Sequence, residues 1–134
     1  MRILVCGGRT FGNIYMENLS PQELFQKEKE RNFIWDKLEQ ITGDYFNINI
    51  ISGMADGVDT VAYEFARDTE ISLLSFPADW KKHGKSAGPI RNQQMLDEGK
   101  PNLIVAFPGG TGTADMIRRA KKAEIEVKEV KYPE

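Results

Sequence analysis

Leu103-Ile104-Val105-Ala106-Phe107-Pro108-Gly109-Gly110-Thr111-Gly112-Thr113-Ala114-Asp115 carries a short apolar run into a loop of three glycines and two threonines. A helical pattern follows, expected over residues 116–123. A glycine-rich loop between a strand and a helix has chemical meaning. Without a Cβ, glycine lets backbone N–H groups approach an anion. The helix N-terminus adds unpaired donors and a partial positive charge. Threonine hydroxyls add further donors and can cap the helix. Pro108, Gly109, Gly110, Thr111, Gly112 and Thr113 are therefore read as a phosphate cradle, the alternative being a tight turn that binds nothing. The loop is neither a Walker A motif, since no Gly-Lys-Ser/Thr follows, nor a GxGxxG fingerprint.

Working outward, the same strand-then-helix grammar recurs. Arg2-Ile3-Leu4-Val5-Cys6 is a continuous apolar run of the kind a doubly buried strand shows, and it ends in Gly7-Gly8-Arg9. Ser20-Pro21-Gln22-Glu23 reads as a helix start, with Ser20 as N-cap, Pro21 at the first helical position and Glu23 closing a capping box. That helix is expected to reach residue 42, with Ile34, Leu38 and Ile41 on its inner face and Gly43 ending it. Its early part is polar and is expected to overhang the core. Further strands are expected over 47–51, 71–76, 103–107 and 124–130, the last at an edge. Further helices are expected after Gly57 and from Pro89 to Gly99.

Five strands and four helices in alternation predict an α/β fold: a mostly parallel five-stranded sheet with helices on both faces and right-handed crossovers. Ligands in such sheets bind outside the carboxyl ends of the strands. Every unusual loop in the chain follows a strand, so all are expected to converge on one edge.

Composition narrows the class. The chain has 134 residues, a length that fits one domain spanning 1–134. A net charge of −2 gives no general pull toward nucleic acid, and affinity for nucleic acid is largely phosphate neutralisation. The single Cys6 cannot form an internal disulfide, and with one histidine no zinc site is expected. No run approaches the roughly 20 apolar residues of a membrane span. A cytoplasmic location and no membrane partner are the expectation.

The loop residues supply the candidate ligands. Gly7, Gly8 and Arg9 bring amides and a guanidinium suited to bidentate phosphate contacts. Ser52, Gly53 and Met54 precede a second helix start and offer a second anion site. Asp59 falls in that helix's first turn; it either serves the helix dipole or bonds a ribose hydroxyl or a nearby loop. Arg91, just after Pro89, is expected at the strand ends, with Asn92 beside it. Trp80 either stacks on a base or anchors its loop, and Asp79 precedes it. His83 lies in a lysine-rich loop, Lys81-Lys82-His83-Gly84-Lys85, which is either solvated or an anion patch. Two helix N-termini, a glycine-rich turn and an arginine suit a ligand with several phosphates, or a phosphate plus ribose. A nucleotide fits, as a ligand rather than a cofactor.

Five ordered motifs carry a resemblance. They are Gly7-Gly8-Arg9 with Phe11, Ser52-Gly53-Met54-Ala55-x-Gly57-x-Asp59-Thr60, Phe76-Pro77-Ala78-Asp79-Trp80, Gly88-Pro89-Ile90-Arg91-Asn92-Gln93-Gln94-Met95 and Phe107-Pro108-Gly109-Gly110-Thr111-Gly112-Thr113. Together, across nearly the whole chain, they resemble the stand-alone YspA-related SLOG family found in bacteria and phages. The resemblance implies the Rossmann-like SLOG fold, shared with the LOG phosphoribohydrolases and the DNA-processing protein of natural transformation. It also implies a nucleotide or an NAD- or ADP-ribose-derived ligand, and, by analogy with LOG-like relatives, a homo-oligomer.

One departure bears on activity. LOG enzymes carry a catalytic Glu in Pro-Gly-Gly-x-Gly-Thr-x-x-Glu, and Met116 occupies that position here. Three functions stay open. The first is a nucleotide sensor or sequestering protein. The second is a nucleotide N-glycosidase in which Arg91 and Asp115, or Asp59, are catalytic. The third, disfavoured by charge, is a single-stranded DNA binder.

Overall fold

The computed structural model describes residues 1–133. Strands β1 (Arg2–Cys6), β2 (Asn49–Ser52), β3 (Ser72–Ser75), β4 (Leu103–Ala106) and β5 (Glu126–Glu129) form one sheet in the order β3-β2-β1-β4-β5. All four pairings are parallel, so the sheet expected to be mostly parallel is entirely so. The helices are α1 (Pro21–Thr42), α2 (Val58–Asp68), α3 (Trp80–His83), α4 (Ala87–Gly99) and α5 (Thr111–Lys122), with a 3-10 turn at Gly84–Ser86.

Alternation along β1 divides the core into two layers. Ile3 and Val5 face a cluster with Ile34 and Leu38 of α1 and Val61 and Phe65 of α2. Leu4 and Cys6 face the other side, against Met95 and Leu96 of α4 and Met116 and Ala120 of α5. Helices thus cover both faces of the sheet.

The start of α1 follows its sequence signals. The Ser20 side chain accepts from the Glu23 amide at 3.1 Å, and the Glu23 carboxylate accepts from the Ser20 amide at 3.1 Å. Gly43 ends the helix in a right-handed conformation (φ −63°), and its N–H bonds back to Glu39. The first turns of α1 are exposed, including Leu24 and Phe25, as the polar composition there predicts.

Two carboxylates reach from helices to fasten the loop after β1. Glu30 of α1 accepts from the Gly12 amide at 2.9 Å. Glu64 of α2 accepts from the Tyr15 hydroxyl at 2.8 Å and from Arg31 at 2.9 Å.

Two helix starts differ from expectation. α5 begins at Thr111 rather than near residue 116, because its N-cap is Gly110 and needs no side-chain bond to initiate. Pro89 occupies the third position of α4, not the first, because the 3-10 turn runs directly into the helix at Ala87. The short helix α3 was not foreseen.

Candidate functional site

The strand order reverses direction at β1, with β2 on one side and β4 on the other. The loops leaving β1 and β4 therefore lead to helices on opposite faces, α1 and α5, and a crevice opens there, as expected for a doubly wound sheet. A cleft of about 680 Å³ lies at this point. Its walls include Gly7, Gly8 and Arg9 after β1, Asp59 on α2, Trp80 on α3, Arg91 and Asn92 on α4, and Gly110, Thr111, Gly112 and Thr113 at the start of α5.

The N-terminus of α5 is open. No side chain caps it, and the Ala114 amide is the first to close on the Gly110 carbonyl, at 3.0 Å. The amides of Thr111, Gly112 and Thr113 precede that bond and have no partner within the helix. A Cβ built on Gly110 or on Gly112 would meet nothing within 4 Å, so both positions face open space. Pro108 is occupied differently: its carbonyl accepts from the Gly8 amide at 2.8 Å, binding the first loop to the fourth.

The cleft is electropositive. Arg9, Lys85, Arg91 and Arg118 line it, against the carboxylates Asp59 and Asp115. Four cations face two anions, although the whole chain carries −2. The guanidinium of Arg9 sits 5.1 Å from the ring centroid of Trp80, a cation–π pair at the cleft wall.

Arg91 is fixed from below. Its Nη1 donates to the Gly53 carbonyl, and its Nε donates to Asn92 Oδ1 at 3.2 Å. A Cβ on residue 53 would fall on this guanidinium, so any side chain there would push Arg91 off its seat. Burial lowers the pKa of Arg91, and the charge of Asp59 pulls the other way.

Asn92 uses its amide to hold the start of α5. Nδ2 donates to the Gly112 carbonyl at 3.1 Å and to Asp115 Oδ2 at 3.0 Å. Asp115 also receives Arg119 Nε at 2.8 Å and the Arg118 guanidinium. Burial would raise the Asp115 carboxyl, but the hydrogen bonds from Arg119 and Asn92 and the arginine charges outweigh it and hold it below the ordinary carboxylate range. Asp115 thus enters the cleft wall as an ionised brace. Met116, where LOG enzymes carry Glu, is 1% exposed and packs in the α4–α5 layer.

The second predicted cradle is filled by the protein itself. Ser52 Oγ accepts from the Met54 amide at 3.1 Å, and Asp59 Oδ2 accepts from the Ala55 amide at 3.1 Å. The Val58 amide donates to the Gly8 carbonyl at 3.2 Å. Gly57, at φ +76°, passes so close to Gly8 and Arg9 that no Cβ fits. Ser52, Gly53 and Met54 therefore shape the floor under Arg91 and are not among the residues lining the cleft. Asp79 is likewise outside it: its carboxylate caps α3 by accepting from the Lys82 amide at 3.0 Å.

Asp59 does line the cleft. Burial pushes its carboxyl up to about 6, with the Ala55 amide and the charges of Arg91 and Arg9 pulling the other way. Cys6 lies beside it; burial, then the Asp59 charge, raises its thiol well above the ordinary range. Lys85 lines the cleft from the basic run 81–85, the stretch that in sequence offers an anion patch. Arg118 was missed, although Arg118 and Arg119 stand three and four residues after Asp115, the spacing of helical ion pairs. Among the described residues no group of three or more His, Cys, Asp or Glu could hold a metal ion, and no helix is long and apolar enough to cross a membrane.

The all-parallel sheet, the helices on both faces and the crevice at the reversal define a Rossmann-like α/β protein. Its backbone is similar to the crystal structure of TM1055, a structural-genomics target, with a TM-score of 0.66 at 16% identity over 95% of this chain and 72% of that one. A family model matches residues 1–83, and the chain belongs to the YspA, cpYpsA-related SLOG family. The Gene 61 protein of Mycobacterium phage D29 is 33% identical over 107 residues, spanning 74% of this chain and 85% of that protein. The glycine-rich start of α5 lies beyond the residues the family model matches.

Proposed function

We propose that the protein binds a nucleotide, or an NAD- or ADP-ribose-derived nucleotide, in the cleft at the sheet reversal and acts as a sensor or sequestering protein. One observation carries this reading: the uncapped α5 N-terminus opens into the same cleft as Arg9, Lys85, Arg91 and Arg118. A phosphate at the Thr111–Thr113 amides would meet helix-terminal donors and guanidinium groups together. The cleft volume falls within the roughly 300–1,000 Å³ range of small-molecule sites. Trp80, 47% exposed, offers a flat apolar surface for a base. A homo-oligomer, or simple withdrawal of ligand from solution, would supply the output.

Native mass spectrometry with nucleoside monophosphates, NAD, ADP-ribose and cyclic dinucleotides tests this and reports subunit number at once. A retained intact ligand supports it, and no adduct across the panel refutes it.

A second reading rests on Asp59, a buried carboxyl at the cleft wall whose pKa burial pushes up to about 6. Such a group can position water or stabilise an oxocarbenium-like state at a ribose. Release of free base that disappears in Asp59→Asn, with binding retained, would establish an N-glycosidase.

A further inference from the structure

The sheet has two edges, β3 and β5, and they are built differently. β5 reads Glu126-Val127-Lys128-Glu129, and its charged residues stand exposed, a common guard against pairing with another chain. β3 reads Ser72-Leu73-Leu74-Ser75. It carries no charge and no proline, and its register with β2 is regular along its whole length, so no bulge twists it away. Among the described residues no strand pairs with its outer side. We infer that this edge is an interface: β3 pairs antiparallel with β3 of a second copy of the chain, about a two-fold axis at Leu74, joining the two sheets into one.

The main chain fixes the register. Successive residues of a strand direct their N–H and C=O groups alternately to one side and the other. The Phe76 N–H donates to the Ser52 carbonyl at 2.9 Å, so Leu74 and Ser72 also face β2. Leu73 and Ser75 therefore face outward. Antiparallel strands exchange both N–H···O bonds at one residue pair and none at the next. With Leu74 on the axis, Leu73 falls opposite the partner's Ser75, and Ser75 opposite the partner's Leu73, so each outward group meets its match. Leu74 stands against the partner's Leu74 in the closer, non-bonded pair, about 4.5 Å between Cα atoms. Its side chain is 37% exposed in the single chain, on the face opposite Leu73, which packs against the α1–α2 layer. The pairing thus takes an apolar side chain out of water. The antiparallel direction also turns the acidic approach to one strand, Asp68 and Glu70, toward the basic exit of the other, Lys81 and Lys82. Self-matching of both the outward groups and the flanking charges selects a second copy over an unrelated strand.

Analytical ultracentrifugation of the full chain, with disulfide trapping, tests this. The parent is expected to sediment as a dimer at roughly 100 µM. Leu74→Lys, checked for folding by circular dichroism, is expected to sediment as a monomer, because like charges would meet on the axis. Leu74→Cys is expected to cross-link to a second copy under mild oxidation, since its pair lies within the Cα range of about 4.4–6.8 Å that a disulfide spans. Ser72→Cys is expected not to cross-link, because two residues from the axis it stands more than about 13 Å from its counterpart. Cys6 is buried and adds no background. A monomeric parent, a folded Leu74→Lys variant that stays dimeric, no cross-link in Leu74→Cys, or equal cross-linking of both cysteine variants overturns the inference. Each of these results leaves the nucleotide reading untouched, since no residue of β3 lines the cleft.

Discussion

The carboxylate of Asp59 holds the amide of Ala55 at 3.1 Å while itself buried, and burial lifts its pKa to about 6. The folded state therefore keeps a proton that the unfolded chain gives up near its ordinary value of 3.8. The stability this confers is complete below pH 3.8 and is lost as pH rises toward 6. Asp59→Asn removes the titration and keeps an acceptor for Ala55. Urea unfolding should show the variant gaining on the parent by on the order of 2 kcal/mol between pH 4 and pH 7. A difference independent of pH would mean that Asp59 is not desolvated.

Arg91 bridges the Gly53 carbonyl and Asn92 at the floor of the cleft. Arg91→Ala should weaken AMP binding by about 1.5–3 kcal/mol, the range for losing a charge-assisted hydrogen bond. Calorimetry beside circular dichroism separates that loss from unfolding. Unchanged affinity would remove Arg91 from the ligand site.

Glycines 112 and 7 should respond in opposite ways. Gly112 lies in the first turn of α5 with nothing within 4 Å of a built Cβ. Gly112→Leu should leave thermal stability unchanged or raise it by up to about 1 kcal/mol through helix propensity, while abolishing ligand binding. A bulky residue at Gly110 should block the same space. A Cβ at Gly7 would stand 2.8 Å from Val58 Cβ, so Gly7→Ala should cost about 1–3 kcal/mol through overpacking. Thermal melts with and without AMP distinguish the two behaviours.

Met116→Glu, which restores the LOG motif, should not create a hydrolase. The side chain is enclosed between α5 and the sheet, so a carboxylate there is buried without a partner. A loss of about 3 kcal/mol or more in unfolding free energy is expected, with no base released. A stable, hydrolytic variant would show that the side chain can turn toward the cleft.

Four strands were legible as short apolar runs ending at glycine or before proline, β5 (Glu126–Glu129) as an alternating edge, and α1 because Ser20, Pro21 and Glu23 form a complete start signal. The start of α5 was not, because Gly112 carries the propensity of a loop even though its backbone is helical, and the N-cap is a glycine with no side-chain signal. Asp79 was read as a ligand contact; it was also the only signal for α3, whose four residues are too few to show periodicity. Convergence of the strand-end loops was readable from their order. The pairing inside them was not: Ser52 with Met54 and Asp59 with Ala55 are local turn bonds that use up groups which, in sequence, look ready for a ligand.

β1 sits in the middle of the sheet, and its two partners come from very different distances along the chain: Ile3 pairs with Ile50 and with Leu103. Closing the second of these pairings brings together segments a hundred positions apart, a slow and entropically costly step. Until β4 arrives, the apolar flank of β1 is an open edge able to recruit strands from other molecules. The cleft cannot exist before that moment, since α5 follows β4. The cleft is thus reserved for chains whose folding has run almost to its end, and chains that stop earlier expose an unpaired strand edge in its place.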